Sequence, residues 1–182
     1  METVVRHATR PIVALVILIA CGYASFAFCI LPYRCNAVKA VTMSSTNNAF
    51  PHIGSPRAGE IARRNLNALE PCRRLFCRDL STEMIAAANY RILGRNDEAL
   101  RLYRNSLKRD QRPEIYYNIA NTEVALGARE AALNDFVRAC IFNPFMIHEI
   151  DDGQLHEQTI ARLIQMRPED AEFIRMIAAI QP

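Results

Sequence analysis

The stretch that decides the fold is "LGAREAALNDFVRACIFNP", Leu126–Pro144. It opens beside Gly127, closes on Pro144, and carries apolar residues at helical spacing between them, the pattern of an amphipathic helix with a stop at each end. Read backwards from it, the chain holds a second copy, "GRNDEALRLYRNSLKRDQRP", Gly94–Pro113. Gly94 aligns with Gly127, Ala99-Leu100 with Ala132-Leu133, Tyr103 with Phe136 and Ser106 with Ala139, at a constant offset of 33 residues. Upstream of each glycine lies another helical stretch, "STEMIAAANYRIL" and "PEIYYNIANTEVAL".

A two-helix unit at this period resembles the tetratricopeptide repeat. The small residue of that family's second helix falls on Ala99 or Ala132, its following aromatic on Tyr103 or Phe136, its second small residue on Ser106 or Ala139, and its terminal proline on Pro144. In the first helices the small position is Ala87 or Ala120. Small residues let helices approach closely, and the aromatic fills the gap between neighbouring pairs. Two positions depart from the pattern: Glu83 stands where a large apolar residue is usual, and Glu123 replaces the usual aromatic. The resemblance spans about residues 80–144, with repeats at 80–112 and 113–146, and implies an all-α, short right-handed α-solenoid.

Two such repeats must bury their outer faces on neighbours. "AGEIARRNLNALEP", within 57–70 plus its closing Pro71, reads as the second helix of a decayed repeat. Downstream, 154–166 and 169–180 read as two more helices, with Asp151 or Asp152 capping the first and Pro168 at the first turn of the second. The helical domain is therefore expected over 57–182.

Ahead of it, residues 1–10 are basic, and residues 11–33, "PIVALVILIACGYASFAFCILPY", carry no charge over 23 positions. As a helix this segment is about 35 Å long, enough for the roughly 30 Å hydrocarbon core of a bilayer. Two fates stay open. One is an uncleaved transmembrane or signal-anchor helix, with Arg6 and Arg10 cytoplasmic. The other is a signal peptide, in which Leu18-Ile19-Ala20-Cys21 resembles a bacterial lipobox and Cys21 is lipidated. Either fate places the remainder outside the cytoplasm: periplasmic beneath a single-pass inner-membrane anchor, or lipid-anchored at the outer membrane. Residues 34–56, including "MSSTNNAFPHIGSP", are polar and turn-rich and read as a flexible tether.

The 182 residues carry a net charge of +3 that hides an asymmetry. Residues 1–112 hold 17 basic against 8 acidic side chains, and residues 113–182 hold 5 against 11. The arginines are spread along helix faces without a nucleic-acid motif, so no nucleic-acid partner is expected. Of the six cysteines, Cys72 and Cys77 in "PCRRLFC" are the one local pair suited to a disulfide. Five residues along an unbroken helix point those side chains apart, so the bond requires a break that Pro71 can help supply; paired and free states both stay open.

No phosphate loop, nucleophile elbow or zinc spacing occurs, so no catalysis, cofactor, metal or small-molecule substrate is expected. The cluster from His148 to Glu157 reads as a capped loop; its use as a metal-handling site in a maturation factor or small enzyme subunit is the alternative. Binding remains. By the resemblance, the concave groove is lined by Met84, Ala88, Arg91 and Ile92 from the first repeat, and by Tyr117, Asn118, Asn121 and Val124 from the second. A protein partner in that groove, an extended acidic or polar segment beside Arg91, Tyr117 and Asn121, and a scaffolding role in a bacterial envelope machine are the functional expectation. Such machines include those of polysaccharide synthesis and export, pilus assembly and secretion.

Overall fold

The computed structural model describes residues 2–75 and 79–180, with side chains outside 2–12 and 75. Among the described residues the chain is all-helical, without strands. Its α-helices are α1 (Glu2–Ser25), α2 (Leu31–Ala49), α3 (Pro56–Leu75), α4 (Leu80–Ile92), α5 (Asn96–Leu107), α6 (Pro113–Ala125), α7 (Arg129–Phe142), α8 (Gly153–Met166) and α9 (Ala171–Ala179).

From α2 to α7 each helix lies antiparallel to the next. Cys35 at the head of α2 meets Cys72 at the end of α3, Arg73 at the end of α3 approaches Glu83 in the first turn of α4, and Tyr116 at the head of α6 stacks on Phe142 at the end of α7. Helices α2/α3, α4/α5 and α6/α7 thus form three hairpins. In each, the turn contains a glycine at positive φ, Gly54 (91°), Gly94 (70°) or Gly127 (77°), where a Cβ would be strained. At the last two, the ladder closes identically. The N–H of Arg95 donates to the Tyr90 carbonyl and that of Ala128 to the Glu123 carbonyl, each at 2.9 Å. Asp79 begins α4 by accepting from the Thr82 N–H at 2.7 Å, and Pro113 occupies the first turn of α6.

Packing follows the alternation of small and large residues. Ala86, Ala87, Ala99, Ala120, Ala132 and Ala139 are fully buried, and Tyr103 and Phe136 fill the spaces their small side chains leave. Leu155 and Leu163 of α8 and Ile174 and Ile177 of α9 continue the same core beyond α7. Asp152 caps α8 by accepting from the Leu155 N–H and also receives both ends of the Arg129 guanidinium. Pro168 opens a 3₁₀ turn, Pro168–Asp170, that leads into α9.

The expected tether is where sequence and structure part. Residues 31–49 are helix, and a π-helical turn, Phe26–Ile30, joins α2 to α1 with every residue between them helical. The face of α2 that is buried carries Cys35, Thr42, Thr46 and Ala49. Its polar members are satisfied: Asn65 donates to the Thr46 hydroxyl at 3.1 Å and to Asn89 at 3.2 Å, and Asn89 donates to the Thr46 hydroxyl at 2.8 Å. Lys39 reaches the Asp79 carboxylate at the head of α4. Composition misleads here because small polar side chains form this interface in place of an apolar stripe. The folded part begins near residue 34, not 57.

The disulfide also differs from expectation. Cys72 bonds to Cys35, 37 residues upstream, rather than to Cys77, which lies outside the described residues. The α3 helix continues through Pro71 to Leu75, so no break turns Cys72 forward; its side chain faces α2 instead.

Glu123 is buried at 2 % exposure. One carboxylate oxygen accepts from Arg104 at 2.8 Å, and the other, Oε2, has no donor. Burial raises its pKa, partly opposed by Arg104 and reinforced by the charge of Asp135. A raised carboxyl pKa means that the folded state holds the proton more tightly than the unfolded state does. This contribution therefore weakens the fold as pH rises from about 4 through the raised value. Glu123→Gln is expected to stabilise the protein by about 1 kcal/mol at neutral pH and to remove that part of the pH dependence. Thermal melts of wild type and variant at acidic and neutral pH measure it; parallel pH profiles would refute the assignment.

Candidate protein-binding groove

The first helices of the three hairpins, α2, α4 and α6, face one concavity. A groove of about 290 Å³ runs between them, lined by Met43, Phe50, Met84, Ala88, Tyr103 and Asn118 among others. Three expected residues, Met84, Ala88 and Asn118, therefore meet in one place. Met43, Asn47 and Phe50 are not legible as groove residues in the sequence, because the composition of 34–56 reads as tether.

Arg91 is not among the residues lining this groove and lies beside it, against Phe50. Its guanidinium carbon lies 4.9 Å from the centroid of the Phe50 ring, a cation–π contact that joins α4 to the end of α2. Burial lowers its pKa, and the neighbouring Tyr103 and Tyr117 partly oppose that shift. Among the described residues no carboxylate ion-pairs with Arg91. The cation is thus half-desolvated between aromatic rings without an internal counter-charge. Tyr103, nearly fully buried, has its hydroxyl pKa raised strongly by that burial and stays a neutral hydroxyl.

The remaining expected residues have internal tasks. The Tyr117 hydroxyl donates to the Glu149 carbonyl, and its ring leans on Phe136 at 5.8 Å, so this side chain ties α6 to the segment before α8. Asn118 donates to the Glu114 carbonyl at 2.8 Å and Asn121 to the Tyr117 carbonyl at 3.2 Å, each one turn back on its own helix. Their side-chain carbonyl oxygens accept from no protein donor among the described residues. Val124 packs against the C-terminal core. Ile92, one turn beyond Ala88, is buried against Ala49 of α2 and Ala58 and Ala62 of α3 and so packs into the core instead of lining the groove.

Outside the groove, Cys140 is a buried thiol whose pKa burial pushes up to about 12, which leaves it unreactive at neutral pH. Cys21 is exposed within α1. Asp152 is committed to Arg129 and to its helix cap, and among the described residues no three His, Cys, Asp or Glu side chains converge as a metal site.

No protein-family model, curated protein or solved structure matches the chain.

Proposed function

We propose that this chain is a non-catalytic, membrane-anchored interaction module of the tetratricopeptide-repeat type, whose concave groove receives an extended acidic segment of a protein partner. The observation that carries the reading is Arg91. Its guanidinium is half-buried against Phe50, near Tyr103 and Tyr117, without an internal carboxylate. A ligand carboxylate entering the groove gains a charge-assisted contact in a partly desolvated setting, and the carbonyl oxygens of Asn118 and Asn121 offer acceptors to a peptide backbone. The 33-residue offset, the paired glycine turns and the alternating small and aromatic core positions support the repeat assignment.

The stem supports anchoring. Val13–Ile19, Tyr23, Phe26, Phe28 and Ile30 include a run of exposed large apolar side chains on one long helix, far more than water-facing helices carry. The Cys35–Cys72 disulfide favours an oxidising compartment, in keeping with a periplasmic domain. A role as scaffold in an envelope machine is part of the same proposal, and the anchor and the disulfide are in keeping with it.

The test is an array of short peptides graded in net charge, probed with full-length protein in mild detergent. Binding should rise with the number of acidic residues, and Arg91→Gln should weaken the acidic peptides by about tenfold, the equivalent of 1.4 kcal/mol. Binding that is indifferent to peptide charge, or unchanged in the variant, would remove the groove assignment.

A further inference from the structure

The helix ends fix which edge of the domain lies nearest the stem. Cys35 at the head of α2 bonds to Cys72 at the end of α3, and Arg73 approaches Glu83 in the first turn of α4. The antiparallel order returns the end of α5, the head of α6 and the end of α7 to that edge, where Phe142 stacks on Tyr116. Helix α8 starts at the opposite edge, with Asp152 on Arg129, so its end comes back beside the end of α7. Pro144, Arg167 and Phe173 line one slot there. Cys35 lies two residues past Tyr33, the last residue of the uncharged stretch, hence about 3 Å further along a continuous helix. With 11–33 upright in a bilayer, this is the edge turned toward lipid.

The same edge carries the exposed rings. Beyond α2, the exposed aromatic side chains among the described residues are Phe142, Phe145 and Phe173, at 53 %, 59 % and 49 % exposure, and Met166 at the end of α8 is 56 % exposed. The turns of the opposite edge present Ile53 and Leu126 and no exposed ring. Single exposed apolar side chains are ordinary, but rings gathered on the one edge that continues into an apolar stem are not scattered. Charge on this edge is mixed, with Lys108 and Arg112 against Glu114 and Glu169, all exposed. A contact made here therefore rests on the rings rather than on headgroup charge.

We propose that Phe142, Phe145 and Phe173 insert into the interface of the bilayer that α1 enters, giving the domain a second membrane contact besides the stem. Apolar rings gain by leaving water for the boundary between headgroups and acyl chains. The occupant is a lipid surface because the stem brings that surface to this edge. The inference rests on the anchor reading.

The chain has no tryptophan, so one substitution supplies a lone reporter. Full-length Phe145→Trp, Leu126→Trp and Val16→Trp are each reconstituted in phosphatidylcholine vesicles, plain or brominated on the acyl chains. Phe145→Trp should emit at shorter wavelength than Leu126→Trp and lose most of its emission to the brominated lipid, as should Val16→Trp in the stem. Leu126→Trp, at the far edge, should lose little. Quenching of Val16→Trp without quenching of Phe145→Trp would overturn the second contact and leave the anchor standing. A blue-shifted Phe145→Trp that the brominated lipid does not quench would mean that a second copy covers the ring, and would overturn it too. Equal quenching of Phe145→Trp and Leu126→Trp would overturn the assignment to this edge. No quenching at any of the three would bring down the anchor reading and this contact with it.

Discussion

Cys72→Ser, or Cys35→Ser, is expected to destabilise the domain by about 4 kcal/mol, the chain-entropy value for a link closing a loop of this length. The bond spans 37 residues, and it joins α2 to the last turns of α3. The α2 face depends on that link more than an apolar interface would. Its other contacts are the hydrogen bonds of Thr46, Ser45, Asn65 and Asn89, the Lys39–Asp79 ion pair and a small apolar cluster at Ala49, the hydrogen bonds each of modest net worth once competition with water is counted. In the variant, α2 should exchange its amide hydrogens well before α4–α7 do. Unfolding of the full-length protein in detergent, with and without a thiol reductant, tests this directly. A reductant should lower the midpoint of wild type and leave that of the Cys72→Ser variant unmoved. Equal midpoints for reduced and oxidised wild type would show that the pair contributes nothing.

Phe136→Ala should cost about 3–5 kcal/mol. Phe136 is 2 % exposed, lies against the Tyr117 ring, and belongs to the core shared by α6, α7, α8 and α9. Its neighbours Ala120 and Ala132 are too small to collapse into the space it would vacate. Phe136→Leu, which keeps most of the volume, should cost only about 1 kcal/mol. Because α8 and α9 reach the rest of the domain through this cluster, the alanine variant should expose their amides to hydrogen exchange together with those of α7. A loss under 1 kcal/mol for the alanine variant would mean that Phe136 is not the keystone its position implies.

The hairpins α4/α5 and α6/α7 were legible in the sequence for a local reason. Gly94 and Gly127 end helices at positive φ, Pro113 begins one, and Ala99/Tyr103 repeats as Ala132/Phe136 at a constant offset. The helices at 154–166 and 169–180 showed their caps and apolar stripes, and α8 spans Gly153–Met166 and α9 Ala171–Ala179. Helix α2 was hidden because Thr42, Thr46 and Ala49 bury small or polar surface, and a hydroxyl satisfied by Asn65 or Asn89 looks in sequence like a hydroxyl facing water. The cysteine pairing was hidden for the same reason, since Cys35 acquires a partner only once α2 exists.

The groove was half legible. Met84, Ala88 and Asn118 follow from helix position alone, whereas Met43 belongs to the unseen helix and Phe50 to the turn that closes it. Helix position alone turns Tyr117 toward the groove, yet its hydroxyl donates to the Glu149 carbonyl, a contact across 32 residues that no local pattern announces.

The unbroken run from α1 into α2 acts as a ruler. Met43 and Phe50 come 10 and 17 residues after Tyr33, so at 1.5 Å per residue they stand about 15 and 25 Å beyond the end of the uncharged stretch. With 11–33 upright in a bilayer, as proposed, a partner embedded in the same bilayer would need about 8 extended residues to reach the Phe50–Arg91 contact, at 3.3 Å each.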